Sequence, residues 1–498
     1  MPGYPRPRTV HPYPLAGIAG LLGIATPVTG VRVTGVTHAS GSVRAGDLYA
    51  ALPGARSHGA EFIPAAAVAG AAAVLTDPVG ESAAVRAGLP VLVVDDPRRA
   101  LGRVAAVVYG DPTERLTVLG ITGTAGKTST AYLVDSGLRA AGLRSGLIGT
   151  VETRLGDEPV PSERTTPEAP DLQALFAVAL ERGVSVVTME VSSHALALNR
   201  VEGTRFAVGA FTNLGVDHLD FHADIGDYFG AKAKLFDGRC AHEVVNLDDP
   251  VGRKLVKPGT VTVSAAGDPA ATWRAERIVH SGFGQDFQAV GPDGLRIAGS
   301  VAIPGVHNVG NALLALASVV VIGTDPVLAM RGIGQCRGVP GRMELVDVPG
   351  PVRGVVDYAH KPDAVTAVLA ALRPVTEGRL ICVIGAGGDR DRGKRPLMGA
   401  AAAHGADLLL VTDDNPRDED PAVVRAEVLA GAHGPATVVE VSGRRAAIDE
   451  AVRRARPGDT IAVLGKGHEQ GQEVAGEVFP FDDQVELAAS LTKRFGTR

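Results

Sequence analysis

The sequence predicts an α/β fold, and three observations carry that reading. Valine-rich apolar runs alternate with alanine-rich helical stretches almost throughout, the pattern of parallel strands covered by helices. The stretch from Leu116 reads as one such unit, a strand, a glycine turn and a helix. The chain has 498 residues, enough for roughly two to four domains with separate cores. Polar, turn-forming "GDPTERL" at Gly110–Leu116 and the Gly- and Pro-rich stretch "GVPGRMELVDVPGPVRG" mark two breaks. Three domains are therefore expected, at 1–110, 111–341 and 342–498.

Composition narrows the function classes. Hydrophobic residues make up 45% and charged residues 21%, and the net charge is -6, which points to small-molecule partners rather than nucleic acid or an anionic membrane. The longest apolar run, "ALLALASVVVIG" from Ala312, is too short to span a bilayer, and "MPGYPRPRTVHPYPL" has no continuous apolar stretch behind its arginines. A cytoplasmic location is expected. The three cysteines, Cys240, Cys336 and Cys382, form no C-x-x-C pair, which argues against a disulfide framework or a zinc site.

The stretch "LTVLGITGTAGKTSTAYLVDSGLRAAG" reads as a strand from Leu116, a glycine turn and a helix whose apolar face holds Ala131, Val134, Leu138 and Ala141. This is the layout of a phosphate-binding loop. Backbone N–H groups of Gly123, Thr124, Ala125 and Gly126 would close on phosphate oxygens, Lys127 would reach the β- and γ-phosphates, and the Thr128 hydroxyl would ligate Mg²⁺. The common spacing asks for glycine where the chain has Ile121. ATP binding is the first firm inference.

Two further apolar runs deliver chemistry-bearing residues. "SVVTMEVSSHALALNR" leads from a strand into Glu190, Ser192, Ser193, His194 and Arg200, and "FAVGAFTNLGVDHLDFH" delivers Asp217 and His218. A carboxylate and an imidazole at the carboxyl ends of strands beside the phosphate loop suit a Mg²⁺ between phosphate and substrate. In the last domain "GVVDYAH", "LICVIGAGGDRD", "LLLVTDDNPR" and "TIAVLGKGHE" each end an apolar run in a polar loop. An open parallel sheet would gather Asp357, Arg390, Asn415, Arg417, Gly465 and Glu469 at one edge, where guanidinium forks and an acid suit a small zwitterion.

In this order "GTAGKT", "TTPE", "MEVSSHAL", "FTNLGVDHLDFH", "YFGAKAKLF", "NLDDP", "GVHNVGN", "GRME", "VVDYAHKPDA", "GGDRDRGKRPLMG", "DNPR" and "GKGHE" resemble the Mur ligases. These are ATP-dependent amino-acid ligases of peptidoglycan precursor synthesis, and the resemblance covers nearly the whole chain. It implies a three-domain architecture with a UDP-binding first domain, a central P-loop ATPase domain and a Rossmann-like last domain that takes the amino acid. G-T-x-G-K-T is the family's own phosphate loop, which removes the spacing anomaly at Ile121.

The resemblance also implies roles. Lys127, Glu190, His218 and Lys232 match the catalytic and metal set, with Lys232 carbamylated and, with Thr128, Glu190 and His218, serving Mg²⁺. Residues two apart on a helix lie on nearly opposite faces, so only one of Lys232 and Lys234 can point into the site. Carbamylation needs the neutral amine and turns a cation into an anionic oxygen ligand. Asn308, Arg342 and Asp357 match residues that close over the nucleotide. Ser40, Thr165, Thr166, Ser192 and Arg200 match contacts to the UDP-muramoyl dipeptide. "DNPR", Asp414, Asn415, Pro416 and Arg417, is the signature of the branch that adds meso-diaminopimelate, and Arg390, Gly465 and Glu469 match its remaining contacts. A buried Arg417 lacking the distal carboxylate of that amino acid would lose its partner, at a cost of about 3–5 kcal/mol.

The implied reaction is attack of the D-glutamate carboxylate on the γ-phosphate, giving an acyl phosphate that the incoming amine then displaces. Catalysis would rest on positioning and electrostatics, with no covalent nucleophile from a monomeric protein. One departure stands out: the family has Asp-Ser-Arg where this chain has Ala39, Ser40 and Gly41. It leaves open a paralogue acting on a different carboxylate acceptor; a non-catalytic ATP-binding scaffold is a second alternative, against which the matches at Lys127, Glu190, His218 and Lys232 argue.

Overall fold

The computed structural model describes residues 4–25, 28–54 and 57–496. The chain forms two compact units. The first comprises Met1–Arg274, Gly291–Leu295 and Asn311–Ile333, and the second Ala275–Val290, Arg296–Gly310 and Gly334–Arg498.

In the first unit, strands Gly35–Thr37, Asp47–Ala51, Ala73–Thr76 and Val91–Val93 form a parallel four-stranded sheet in sequence order. Helix Pro97–Val108 packs on it through Leu101, Val104 and Ala105, against Leu48 and Leu75. Its start is explicit in sequence: the Asp96 side chain accepts from the Arg99 N–H at 2.9 Å, and Pro97 takes a position whose missing N–H costs nothing. Each fully buried Leu or Val here contributes about 1.5–3 kcal/mol of apolar transfer energy.

A larger sheet in the same unit positions the phosphate loop. Strand Thr117–Thr122 lies between Val186–Glu190 and Phe206–Phe211, parallel to both, so three strands present their carboxyl ends side by side. Strand Ser145–Ile148 lies beyond Val186–Glu190, and Cys240–Asn246 and Val261–Ser264 extend the other side, all parallel. Helix Lys127–Ala140 buries Ala131, Val134 and Leu138 of the apolar face read from sequence, and Leu133 besides, while Ala141 caps its end.

The second unit holds the antiparallel hairpin Gly284–Val290 and Arg296–Val301, and a six-stranded sheet. The order in that sheet is Glu344–Leu345, Arg353–Asp357, Thr460–Leu464, Leu380–Ile384, Leu408–Val411 and Thr437–Glu440, parallel except for the first strand. Alternation along Leu380–Ile384 sends Cys382 and Ile384 to one core and Ile381 and Val383 to the other. Helices Pro362–Leu372, Lys394–Gly405 and Pro421–Leu429 cover the first face, Arg444–Arg454 and Asp483–Phe495 the second. Asp420 caps Pro421–Leu429 through the Ala422 N–H, so this acid ends the acidic run as a helix start.

The cysteines are free thiols, Cys382 buried and the other two half-buried. Burial pushes the Cys240 and Cys382 thiols up to about 12, which leaves them unreactive at neutral pH. Among the described residues no helix is long and apolar enough to cross a membrane.

Candidate active site

The phosphate loop connects strand Thr117–Thr122 to helix Lys127–Ala140 through Gly123 and Gly126, both at positive φ. A Cβ on Gly123 would sit 1.9 Å from Thr212 Oγ1, and one on Gly126 2.7 Å from Asn311 Oδ1, so neither position admits a side chain. Asn213 braces the loop: its carbonyl accepts from the Thr124 N–H at 2.8 Å and its side-chain oxygen from the Ala125 N–H at 3.0 Å. The Lys127 ammonium folds back onto the Gly123 and Thr124 carbonyls, each at 3.0 Å.

Glu190, at the carboxyl end of its strand, is 1% exposed. Its carboxylate accepts from Thr128 Oγ1 at 3.1 Å, from the Thr150 N–H at 2.8 Å and from Thr150 Oγ1 at 3.2 Å. Gly149 makes the room, since a Cβ there would lie 2.7 Å from Glu190 Oε1. The Thr128 hydroxyl and a carboxylate oxygen thus stand side by side at the mouth of the loop. Hard oxygen donors of this kind are what Mg²⁺ takes, with phosphate oxygens and water completing its shell, so the residues present fit the ion.

Lys232 is buried and Lys234 exposed, although the helix ends at Ala233 and Lys234 begins a 3₁₀ turn. Lys232 Nζ donates to the Gly123 carbonyl at 2.7 Å and lies 4.3 Å from the centroid of the Tyr228 ring. Tyr228 in turn bonds Thr124 Oγ1 at 3.1 Å, so the helix is tied to the phosphate loop at two points. His218 is more open, with its side chain 41% exposed and its ring 4.7 Å from that of His194. His194 packs between His218 and Phe221, and burial pushes its imidazole below the usual range.

Next to Glu190 lies a row of hydroxyls. Thr165 Oγ1 is 2.9 Å from Thr150 Oγ1, and Thr166 Oγ1 donates to the Glu190 carbonyl at 2.8 Å and accepts from the Ser192 N–H at 3.1 Å. Ser192 caps the short helix Ser193–Ala197 through the Ala195 N–H. Arg200 is held by Glu168, Nε to Oε1 at 2.9 Å.

Sequence reasoning missed the centre of that cluster. Glu168, 7% exposed, also meets Arg164 at 2.7 Å and Arg98 at 3.4 Å. Three guanidiniums around one carboxylate leave an excess of positive charge beside the hydroxyls, a field that suits phosphates or carboxylates. His38 faces the same charges, and its imidazole is pushed down chiefly by burial. "TTPE" was read for its threonines, while the signal for Glu168 was an acid among arginines scattered over some hundred residues of sequence. Ser40 opens a 3₁₀ turn and is half-buried, and at exposed Gly41 a Cβ would meet open space.

In the second unit, Asn308 donates to the Pro304 carbonyl at 2.7 Å. Asp357 is buried and accepts from the Met343 and Ala359 N–H groups, each at 2.7 Å. Burial pushes its carboxyl up, opposed by Arg342, whose guanidinium lies 4.6 Å from the centroid of the Tyr358 ring.

The carboxyl edge of the parallel sheet gathers the remaining residues. Asn415 Nδ2 donates to Glu469 Oε2 at 2.9 Å, and a Cβ on Gly465 would lie 2.6 Å from Asp414 Oδ2. Lys466, fully buried, bonds both Asn415 Oδ1 and Glu469 Oε2 at 2.9 Å and was not foreseen. Pro416 holds the backbone turn, its carbonyl accepting from the Glu419 N–H. Arg390 is exposed in the loop after strand Leu380–Ile384.

The expectation of a buried, partnerless Arg417 needs correcting. Its side chain is 22% exposed and already paired with Glu473, Nε to Oε2 at 3.0 Å, while Nη1 donates to the Gly388 carbonyl at 2.7 Å. The cost of leaving it without a ligand carboxylate is correspondingly smaller than that of an unpaired buried charge.

A phosphate loop on a parallel sheet with an acid at the neighbouring strand end, and in the second unit a parallel sheet with Arg417, Lys466 and Glu469 at its carboxyl edge, are compatible with a nucleotide-dependent ligase. Comparison with known proteins agrees along the whole chain. Residues 32–109 match the model "Mur ligase family, catalytic domain", 121–319 the "Mur ligase middle domain" and 341–467 the "Mur ligase, glutamate ligase domain". The UDP-N-acetylmuramoyl-L-alanyl-D-glutamate–2,6-diaminopimelate ligase of Streptomyces avermitilis is 54% identical, over 99% of each chain. That of Corynebacterium glutamicum is 47% identical, over 91% of this chain and 90% of its own. A solved structure of a ligase with the same name is 29% identical, covers 97% of this chain and 99% of its own, and superposes with a TM-score of 0.71. The chain belongs to the Mur ligase family of ATP-dependent ligases.

Proposed function

We propose that this chain joins meso-diaminopimelate to the D-glutamate of UDP-N-acetylmuramoyl-L-alanyl-D-glutamate, with release of ADP and phosphate, as a cytoplasmic monomer in peptidoglycan precursor synthesis. The observation that carries the reading is the "DNPR" loop at the carboxyl edge of the second unit's sheet. There the Arg417 guanidinium and the Glu469 carboxylate serve one loop, in a chain 54% identical to a diaminopimelate ligase. The expected domains, 1–110, 111–341 and 342–498, bind the UDP moiety, ATP and the amino acid respectively.

In this reading Gly123 to Thr128 hold the ATP phosphates, and Asn308, Arg342 and Asp357 serve the rest of the nucleotide. Lys127 leaves the loop carbonyls for the β- and γ-phosphates and offsets charge on the transferring group. Thr165, Thr166, Ser192, Arg200 and Ser40 orient the UDP-muramoyl dipeptide so that its D-glutamate carboxylate meets the γ-phosphate in line. Thr128, Glu190, His218 and Lys232, the last as its carbamate, would hold Mg²⁺, which when bound supplies charge neutralisation on the phosphoryl oxygens. Arg390, Asp414, Asn415, Pro416, Arg417, Gly465 and Glu469 orient the amino acid for its amine to attack the acyl phosphate.

The test is phosphate release from ATP by the purified protein with the UDP-muramoyl dipeptide and either meso-diaminopimelate or lysine. Turnover that depends on all three substrates and favours diaminopimelate is expected. No turnover with either amine overturns the proposal.

A further inference from the structure

The "DNPR" loop is laced to a hairpin that the roles above do not use, formed by strands Gly471–Val474 and Glu477–Pro480. The Arg417 N–H donates to the Glu473 carbonyl at 3.1 Å, and the Arg417 carbonyl accepts from the Ala475 N–H at 2.7 Å. The Glu473 N–H donates to Asn415 Oδ1 at 3.0 Å, and Gln472 Nε2 to the Asp414 carbonyl at 2.5 Å. Backbone bonds therefore fix Glu473 beside Arg417 whatever its side chain does. The side chain then adds the ion pair with Arg417 Nε.

From this juxtaposition we propose that Glu473 is a specificity-determining residue, a carboxylate of the chain itself that neutralises Arg417 until the distal carboxylate of the amino acid arrives. It rests on the reading of Arg417 as the group that takes that carboxylate. Of the three guanidinium nitrogens, Nε faces Glu473 and Nη1 faces the Gly388 carbonyl, while Nη2 has no hydrogen bond to a described residue. An incoming carboxylate lands on the Nη side and meets the negative charge of Glu473 across the same guanidinium. It must share Arg417 with Glu473 or displace it.

An amino acid without the distal carboxylate leaves the Arg417–Glu473 pair whole and strands no charge. Glu473 therefore weakens the preference for diaminopimelate over lysine while keeping the vacant pocket neutral. With side chains 22% and 42% exposed, the pair is partly solvated, and the effect belongs in the range of partly exposed ion pairs.

Glu473→Gln tests this in the full-length enzyme. It retains the backbone lacing and an acceptor oxygen for Nε and removes only the charge. Steady-state kinetics with meso-diaminopimelate and with lysine should show KM for diaminopimelate falling about three- to fivefold, with kcat, KM for ATP and the lysine parameters unchanged. The gain should shrink in 1 M salt, and Glu473→Gln should have no effect on KM for diaminopimelate in an Arg417→Ala background. If Arg417→Ala alone leaves the diaminopimelate-to-lysine ratio of kcat/KM unchanged, the underlying reading of Arg417 fails. If Arg417→Ala collapses that ratio while Glu473→Gln leaves it unchanged or lowers it, that reading stands and the role given to Glu473 is overturned.

Discussion

Replacing Glu190 by Gln separates what this carboxylate does for the fold from what it does for phosphoryl transfer. The side chain is 1% exposed and accepts three hydrogen bonds, one at Oε1 from the Thr150 N–H and two at Oε2 from the Thr128 and Thr150 hydroxyls. The amide oxygen can take over the first. The new amide nitrogen meets two hydroxyls, which rotate to accept instead of donate. Each bond loses its charge assistance, roughly 1 kcal/mol apiece, so the three together cost about 3 kcal/mol. Against this, a buried charge with no cation bonded to it is removed, which returns a similar amount. Stability should stay within about 2 kcal/mol of the parent, a Tm change of less than about 8 °C.

The charge itself has no such substitute. In the proposed role Glu190 would help hold the Mg²⁺ that neutralises the phosphoryl oxygens; loss of one preorganised charge-stabilising group of this kind costs about 2.7–4 kcal/mol, so kcat should fall about 10²- to 10³-fold. Thermal melting and phosphate release on the same preparation measure the two effects together. A variant whose kcat stays within about fivefold of the parent while Tm drops would show that Glu190 only braces Thr128 and Thr150, and the metal role would be lost.

Further outcomes follow from the same geometry. Lys232→Ala should abolish turnover, with partial recovery on adding short carboxylic acids, whereas Lys234→Ala, an exposed position, should keep kcat within about twofold; intact mass of active enzyme should carry the carbamate. Glu168→Ala leaves three guanidiniums facing one another and should cost about 2–3 kcal/mol, read as a lower Tm that added sulfate partly restores. Burial, with Lys394, Lys361 and Arg342 adding to it, pushes His360 down to about 4, so the folded state binds fewer protons than the unfolded one between about pH 6.5 and 4. Stability from this group is lost as pH falls through that window, and His360→Gln should flatten that limb of the stability curve. Asp171 behaves oppositely: burial raises it to about 6, its contribution is full below about pH 4 and is lost as pH rises through 6, and Asp171→Asn should remove that slope.

What the sequence made legible is what depends on local pattern. Ala131, Val134 and Leu138 recur at helical spacing, and they are the buried face of the phosphate-loop helix. Valine runs that end in polar loops became parallel strands whose carboxyl ends share an edge in each unit. Side chains that matter through long-range pairing stayed hidden. Glu168 gathers Arg98, Arg164 and Arg200, and Lys466 is buried between Asn415 and Glu469, yet periodicity carries no signal for either. Glu473 lies in a hairpin whose sequence, "GQEVAGEVFP", carries no sign of a partner, and its pairing with Arg417 depends on where that hairpin folds back. The cost first assigned to an unpaired Arg417 failed for that reason: the partner is supplied from 56 residues away.

Backbone strain points to the same places from an independent direction. Among the described residues nine other than glycine have positive φ, including His218 at 53° and Arg417 at 52°, with Met343 beside Arg342 and Asp389 beside Arg390. A left-handed conformation costs a residue with a Cβ roughly 1–2 kcal/mol, and at neither His218 nor Arg417 does the chain use glycine to avoid it. Each is held by bonds that over-determine the backbone. The His218 carbonyl accepts from the Phe221 and His222 N–H groups at 3.1 and 2.9 Å, and Arg417 is bonded through its N–H to Glu473 and through its carbonyl to Ala475. Glycine would relax both turns but remove the imidazole and the guanidinium. Retention of a strained side chain at each position is consistent with the ligand roles proposed for His218 and Arg417, since the turn alone is better served by glycine.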